Sequence, residues 1–120
     1  MSAGSSVPGG LSISSVREGS TVRIVLEGEM DLASAQAVED RLRAAEADSP
    51  KRVVIDLAQL AFIDSTGLRL LLQADARARQ QGCELVLRPG EASVQRVFEI
   101  TGALDVLRFE DTSEGQSDAV

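Results

Sequence analysis

The feature that most constrains this chain is an apolar run followed by a short acidic and hydroxyl cluster and then by a leucine-rich segment. The run Val53–Leu57 is rich in β-branched residues and does not alternate with polar ones, which predicts a strand covered on both faces. Residues 58–63 are predicted to form a loop. The cluster Asp64–Thr66 consists of helix-capping residue types and stands directly before Leu68–Leu72. The sequence therefore predicts a strand, a loop and a helix with hydroxyl groups at its beginning.

This position suits a negatively charged group. The first turn of a helix has N–H groups without intrahelical acceptors and a partial positive charge, so it favours an anion such as phosphate. Ser65 is our first candidate for a phosphorylated residue and Thr66 the second. Asp64 is expected to cap the helix, to orient the Ser65 hydroxyl, or to do both.

Composition excludes several classes of function. The formal net charge of −7 argues against nucleic acid or an anionic membrane as the partner, because both attract basic surfaces. The sequence has no histidine, which removes the commonest general base and the commonest metal ligand. Ser-His-Asp and Cys-His catalysis and most zinc sites are therefore excluded. We predict no catalytic residues, no metal site and no cofactor. Cys83 is the one cysteine, so no internal disulfide is possible, and no apolar leader or long apolar span is seen. A cytoplasmic protein is expected.

The order of the remaining elements predicts the fold class. Strands are expected at 11–16, 21–26, 84–87 and 106–109, and helices at about 31–47, 66–81 and 91–101. The first two strands form an antiparallel hairpin, and the later strands are joined through helices, which implies parallel pairing. We predict an α/β domain over 11–110, with a mixed, mostly parallel sheet of four to five strands and helices packed on it. Residues 1–10 and 111–120 are predicted to be disordered.

Each predicted helix has a candidate buried face. The first helix has a stripe formed by Ala35, Val38, Leu42 and Ala45, and the third has one formed by Val94, Val97, Phe98 and Ile100. The apolar arc of the second helix is wide. It is either covered by a neighbouring helix or partly exposed as a docking site near Ser65, and we favour covering.

Three segments together resemble a known family. They are Gly28–Asp31 followed by Ala33–Ala35, then Val54–Leu57 leading to Phe62–Leu68, and finally Phe98–Leu104. With their order and spacing, they resemble the STAS domain (sulfate transporter and anti-sigma factor antagonist). The resemblance covers almost all of 11–109. Arg69 departs from the pattern, because many members of the sporulation and stress-response branch have a small residue there.

The resemblance implies a bacterial anti-sigma factor antagonist, which is a binding module and not an enzyme. Ser65 would be phosphorylated by a partner that is both anti-sigma factor and serine kinase. The unphosphorylated form would bind that partner and free the sigma factor, and a serine phosphatase would restore it. The implied partner-binding residues are Met30, Asp31, Asp64, Ser65, Thr66, Gly67, Leu68 and Arg69. The protein itself is expected to be a monomer or a weak dimer.

Three other interpretations stay open, two from the residues and one from the resemblance. Ser65 is also explained as an ordinary capping residue. Asp56 and Asp64 are alternatively a carboxylate pair for acid–base chemistry or magnesium, although no phosphate-binding glycine loop or third ligand accompanies them. We favour a structural role for Asp56, hydrogen-bonded to loop amides. Finally, a STAS-like domain can be a scaffold subunit of a signalling assembly or of a lipid transporter, without a sigma factor partner.

Overall fold

The computed structural model describes residues 2–7 and 10–110 of the chain. Within these residues five strands, three α-helices and a short 3-10 helix follow one another. The strands are β1 (Ser2–Val7), β2 (Leu11–Glu18), β3 (Thr21–Met30), β4 (Arg52–Ile63) and β5 (Glu84–Arg88). The α-helices are α1 (Leu32–Ala47), α2 (Ser65–Gln81) and α3 (Ala92–Thr101), and the 3-10 helix is Ala103–Asp105.

The strands form one mixed sheet in the order β1-β2-β3-β4-β5. The pairs β1–β2 and β2–β3 are antiparallel, whereas β3–β4 and β4–β5 are parallel and are connected through α1 and α2 respectively. The predicted α/β class, with an N-terminal hairpin and parallel crossovers, is confirmed. Parallel pairing of β3 with β4 brings the ends of both strands, and the starts of α1 and α2, to the same edge of the sheet.

The helices cover one face of the sheet. Alternate residues Val53, Ile55 and Leu57 of β4 belong to the main core, together with residues from all three helices. Val54 is also buried, at 1% exposure, but lies on the opposite face between its register partners Arg23 and Val86. The strand is therefore buried on both faces as predicted, but charged side chains, not helices, occupy the second one.

Asp56 shows how the second face is organised. Its carboxylate pairs with Arg23 at 3.1 Å and lies 4.0 Å from Arg88, and it accepts a 2.9 Å hydrogen bond from the Ala58 N–H. The carboxylate therefore has three donors around it and joins three strands. This arrangement agrees with the structural role we favoured for Asp56.

The segment 58–63, predicted as a loop, is instead the second half of β4. It pairs with β3 through two register shifts, one between Val25 and Glu27 and one between Gly28 and Glu29. Gly28 has a φ of 111°, and a Cβ there would overlap the Gly10 carbonyl oxygen. Such irregular pairing depends on the partner strand, so the residues of 58–63 alone do not reveal it.

Two predictions near the chain ends also need correction. Residues 1–10 were predicted to be disordered, but Ser2–Val7 pairs with β2, because an edge strand is held by main-chain hydrogen bonds that do not require apolar side chains. The strand predicted over 106–109 is reduced to one bridge, between Phe109 and Leu87, because the 3-10 helix occupies the preceding residues. The predicted disorder of 111–120 lies outside the described residues.

The helical faces follow the predicted stripes with three exceptions. In α1, Ser34 is buried as well as Val38, Leu42 and Ala45, and the predicted Ala35 is only half-buried, as is Val97 in α3. In α3 Val94 and Phe98 are buried, whereas Ile100 is 75% exposed. The apolar arc of α2 is covered as expected, because Leu68, Leu70 and Leu71 belong to the core.

An ionic cluster joins α1 to α2. Arg77 on α2 donates to Glu46 at 2.8 Å and lies 3.4 Å from Glu39, and all three side chains are at most 22% exposed. Hydrogen bonding to Glu46 is the main cause that raises the pKa of Arg77 above its ordinary value. The cluster fixes the two helices side by side toward their C-terminal ends.

Candidate docking site at two helix N-termini

Asp64 caps α2 and also binds the start of α1. One carboxylate oxygen accepts a 3.0 Å hydrogen bond from the Gly67 N–H, within α2. The other accepts a 3.2 Å hydrogen bond from the Leu32 N–H, the first residue of α1. The side chain therefore satisfies one free donor in each helix. The prediction that Asp64 caps α2 is confirmed, and its contact with α1 was not predicted.

The start of α1 has a cap of its own. Asp31 accepts hydrogen bonds from the Ala33 N–H at 3.0 Å and the Ser34 N–H at 3.3 Å. The Ser34 hydroxyl accepts in return from the Asp31 N–H at 3.0 Å, which completes a capping box. Two helix N-termini, each with a partial positive charge, therefore meet at this edge with one carboxylate apiece.

Close packing holds the two segments together beneath these caps. The Asp64 N–H donates to the Met30 carbonyl at 3.1 Å. A Cβ on Gly67 would lie 3.0 Å from side-chain carbons of both Met30 and Ile63, so only glycine fits here without displacement. The end of β3 and the first turn of α2 are therefore in direct contact.

The hydroxyl groups lie at the outer side of this junction. Ser65 is the first residue of α2 and is exposed, whereas Thr66 is half-buried. Within residues 10–110, no acceptor binds the backbone N–H of either residue. Two free donors and an accessible serine hydroxyl are thus adjacent in the first turn of α2, a position that favours an anion.

The structure brings all the predicted partner-binding residues to this junction but does not expose all of them. Ser65 and Arg69 are exposed, and Asp31, Asp64 and Thr66 are half-buried. The remaining three residues, Met30, Gly67 and Leu68, are buried. Met30 has no exposed surface. These three shape the site from below and offer no side-chain surface to a partner in this conformation.

Two exposed apolar residues beside Ser65 were missed. Leu32 is 74% exposed and Phe62 is 48% exposed, and they are two of the five large hydrophobic residues exposed within the described chain. Leu32 directly follows the capping Asp31 and lies well off the helical stripe of Val38 and Leu42, a spacing that could have revealed it. Phe62 gave no such signal, because its segment was interpreted as a loop.

The alternative carboxylate pair does not form. Asp56 lies on β4 among arginines and Asp64 lies beyond the end of that strand, roughly 25 Å farther along at about 3.3 Å per residue. In the part of the chain that the structure describes, no group of three or more Cys, Asp or Glu side chains is placed to hold a metal ion. Each carboxylate is accounted for by its own hydrogen bonds.

A shallow groove adjoins the site between α1 and α2. Its cavity volume is about 210 Å³, and it is lined by Ala35, Gln36, Glu39, Thr66, Arg69, Leu70 and Gln73. This is below the roughly 300–1,000 Å³ of most small-molecule sites, so the groove suits contact with a protein surface better than binding of a metabolite.

Among the described helices, none has the length and apolar character needed to cross a membrane.

Comparisons with known proteins are consistent with this architecture. The family model for the STAS domain matches residues 12–115. The chain is similar to BtrV of Bordetella bronchiseptica, with 36% identity over 94 residues, which cover 78% of this chain and 81% of that protein. It is also similar to the anti-sigma-B factor antagonist of Listeria monocytogenes, with 32% identity over 100 residues, which cover 83% of this chain and 87% of the relative.

Solved structures share the fold. An anti-sigma factor antagonist from Mycobacterium paratuberculosis superposes with a TM-score of 0.80 at 24% identity, covering 97% of this chain and 98% of that one. The Bacillus cell fate determinant SpoIIAA in its phosphorylated form superposes with a TM-score of 0.64 at 18% identity, covering 92% and 99%. Both likenesses extend over the whole domain, so the sheet and helices described above are a shared architecture.

Proposed function

The chain belongs to the STAS domain family, and from this premise we propose that it is an anti-sigma factor antagonist switched by phosphorylation of Ser65. In the unphosphorylated state it binds an anti-sigma factor that is also a serine kinase, and this binding frees a sigma factor to activate transcription. The kinase then phosphorylates Ser65 and the complex separates. A serine phosphatase removes the phosphate and restores the binding form.

The observation that carries this proposal is an accessible serine placed beside exposed apolar side chains. Ser65 is exposed at the start of α2, with Phe62 close before it in the chain and Leu32 held nearby through the hydrogen bond to Asp64. Apolar and aromatic residues of this kind supply most of the binding energy at protein interfaces. A partner that covers Leu32 and Phe62 would therefore also cover the Ser65 hydroxyl.

Phosphorylation would change this surface without unfolding the domain. The phosphate adds roughly −1.5 to −2 charges and three acceptor oxygens at the position of a small neutral hydroxyl. The two helix caps and the Met30–Gly67 contact lie beneath the modified atom and do not involve the Ser65 side chain. The added charge and volume would thus act on the docked partner, by repulsion and by exclusion from the apolar surface.

The first test is to map phosphate on the protein isolated from its native cells, with and without stress. Trypsin is expected to release residues 53–69 as one peptide, which contains both Ser65 and Thr66. Fragment ions must therefore separate the two residues, and Ser65→Ala and Thr66→Val variants provide matched controls. We expect phosphate on Ser65 in an amount that changes with the condition. No phosphate on this peptide under any condition would contradict the proposal.

The second test measures binding of the purified chain to an anti-sigma factor with serine kinase activity from the same organism, by calorimetry without ATP. Phosphoserine at position 65 should weaken binding by roughly tenfold or more, and Phe62→Ala and Leu32→Ala should each do so by about the same factor. Ile100→Ala is the matched control, because Ile100 is equally exposed but lies on α3. A phosphoserine form that binds as tightly as the unmodified chain would refute the switch.

A further inference from the structure

Arg69 stands out among the arginines of this protein. Most of the eleven arginines in the sequence have an ion pair or a side-chain hydrogen bond, but within residues 10–110 Arg69 and Arg96 have neither. Arg69 is exposed and follows Ser65 by four positions in α2. An unpaired guanidinium therefore lies one helical turn from the candidate phosphosite.

Helix geometry directs this guanidinium toward Ser65. Residues at positions i and i+4 are neighbours on a helix surface, with Cβ atoms about 5–6 Å apart. Long side chains in a helix lean toward its N-terminus, which brings the turn that contains Ser65 within reach of Arg69. Its planar fork of N–H donors matches two phosphate oxygens at once.

The charges around Ser65 show why such a partner matters. Asp64 is adjacent in the chain and Asp31 caps the neighbouring helix, so a phosphate would join two carboxylates. The N–H groups of Gly67 and Leu32 are already bound to Asp64. The groups still available to offset the added charge are the N–H groups of Ser65 and Thr66 and the guanidinium of Arg69.

We infer that Arg69 forms an ion pair with the phosphate on Ser65 within the same chain, and so stabilises the phosphorylated state against repulsion from Asp64 and Asp31. This inference rests on the proposed phosphorylation of Ser65. The ion pair gives Arg69 a role in the phosphorylated protein after it has separated from its partner. The same ion pair would hold the charged phosphate over the start of α2, where the proposed partner docks.

The test uses the full chain with phosphoserine incorporated at position 65 during synthesis, followed by ³¹P NMR over a range of pH. The variants are Arg69→Gln, Arg69→Lys and, as the matched control, Arg96→Gln, which removes the same charge from an exposed position on α3. An ion pair favours the doubly ionised phosphate. The second phosphate pKa should therefore rise by about 0.4 in Arg69→Gln, because a helical pair of about 0.5 kcal/mol corresponds to that shift.

Three further results would support the inference. Arg69→Lys should give a smaller rise, Arg96→Gln should leave the titration unchanged, and 1 M salt should reduce the difference between wild type and Arg69→Gln. Equal values of the second phosphate pKa in Arg69→Gln and Arg96→Gln would overturn the inference. The urea midpoints of the unphosphorylated Arg69→Gln and wild-type chains should agree, because glutamine is also a good helix former and the position is exposed.

Failure of this inference can be told apart from failure of the proposed function. The phosphoserine is installed without a cellular kinase, so the titration reports on the ion pair alone. Absence of phosphate in native cells would refute the switch, whatever the titration shows. Native phosphate on Ser65 together with an unchanged titration in Arg69→Gln would support the switch and refute the ion pair.

Discussion

Replacing Asp64 with alanine removes a hydrogen-bond acceptor from two helices at once. Loss of the cap on α2 typically costs about 1 kcal/mol. Loss of the hydrogen bond from the Leu32 N–H to a charged acceptor adds about 1–1.5 kcal/mol, at the lower end of the range because the side chain is only half-buried. We therefore expect Asp64→Ala to lower the free energy of unfolding by about 2–2.5 kcal/mol.

Asparagine separates the two contributions. Asp64 uses one oxygen for Gly67 and the other for Leu32, whereas asparagine has a single carbonyl oxygen and places an amide donor against the second N–H. The Asp64→Asn variant should keep one hydrogen bond, lose the other and cost about half as much as Asp64→Ala. Urea denaturation followed by circular dichroism measures all three proteins on one scale, provided that the slopes agree.

Glu91 provides the matched control, because it is the N-cap residue of α3 and its side chain makes no capping hydrogen bond. Glu91→Ala should change the free energy of unfolding by less than about 0.5 kcal/mol. The reasoning fails if Asp64→Ala costs as little as Glu91→Ala. It also fails in part if Asp64→Asn is as stable as wild type, because the contact with α1 would then contribute nothing.

Three further predictions concern stability and reactivity. Gly28→Ala should lower the free energy of unfolding by about 3 kcal/mol or more, because the new Cβ would have a positive φ and would overlap a backbone carbonyl. Gly19→Ala should lower it by about 1 kcal/mol, because Gly19 has a φ of 62° but open space around it. Equal urea midpoints for the two variants would contradict this reasoning. Arg77→Met should cost about 1.5–3 kcal/mol in the same assay, because Glu46 would lose its cation and Glu39 would keep only Arg43, which lies 2.7 Å away. A neutral result would show that the cluster adds no net stability. The pKa of the Cys83 thiol is raised mainly by burial and to a lesser extent by nearby carboxylates. Less thiolate is therefore present at pH 8, and alkylation by iodoacetamide should be slower in the folded chain than in urea. Equal rates of alkylation would contradict this prediction.

Local signals predicted much of this fold. The helices α1 and α2 begin next to Asp31 and Asp64 as expected, because a capping side chain acts on N–H groups only two or three residues away. Gly82 ends α2 with a φ of 72°, again as the sequence indicated. The order of strands and crossovers followed from these boundaries and gave the correct fold class.

Features that depend on distant partners were not predicted. The extension of β4 over 58–63 requires pairing with β3, and the edge strand Ser2–Val7 requires β2. Ile100 fits the helical stripe of α3, yet the short α3 ends one residue later and leaves it exposed. In each case the deciding contact comes from another segment of the chain.

The candidate site shows the same division. Ser65 could be singled out from its neighbours alone, since its chemistry depends on the first turn of α2. The exposure of the surrounding residues could not be predicted in this way. Met30 packs against Gly67 and has no exposed surface, whereas Leu32, whose N–H is bound to Asp64, is exposed. The sequence therefore indicated where the candidate site lies, and the structure shows which of its side chains are exposed.

The hydrogen bond from Leu32 to Asp64 joins residues 32 positions apart, and this makes the proposed docking surface a discontinuous epitope. A synthetic peptide covering residues 58–72 would include Phe62 and Ser65 but would lack Leu32 and the start of α1. Such a peptide should be a poor competitor for the partner and a poor immunogen for antibodies that report on the native site. Reagents that distinguish the two proposed states would need to be selected against the intact domain.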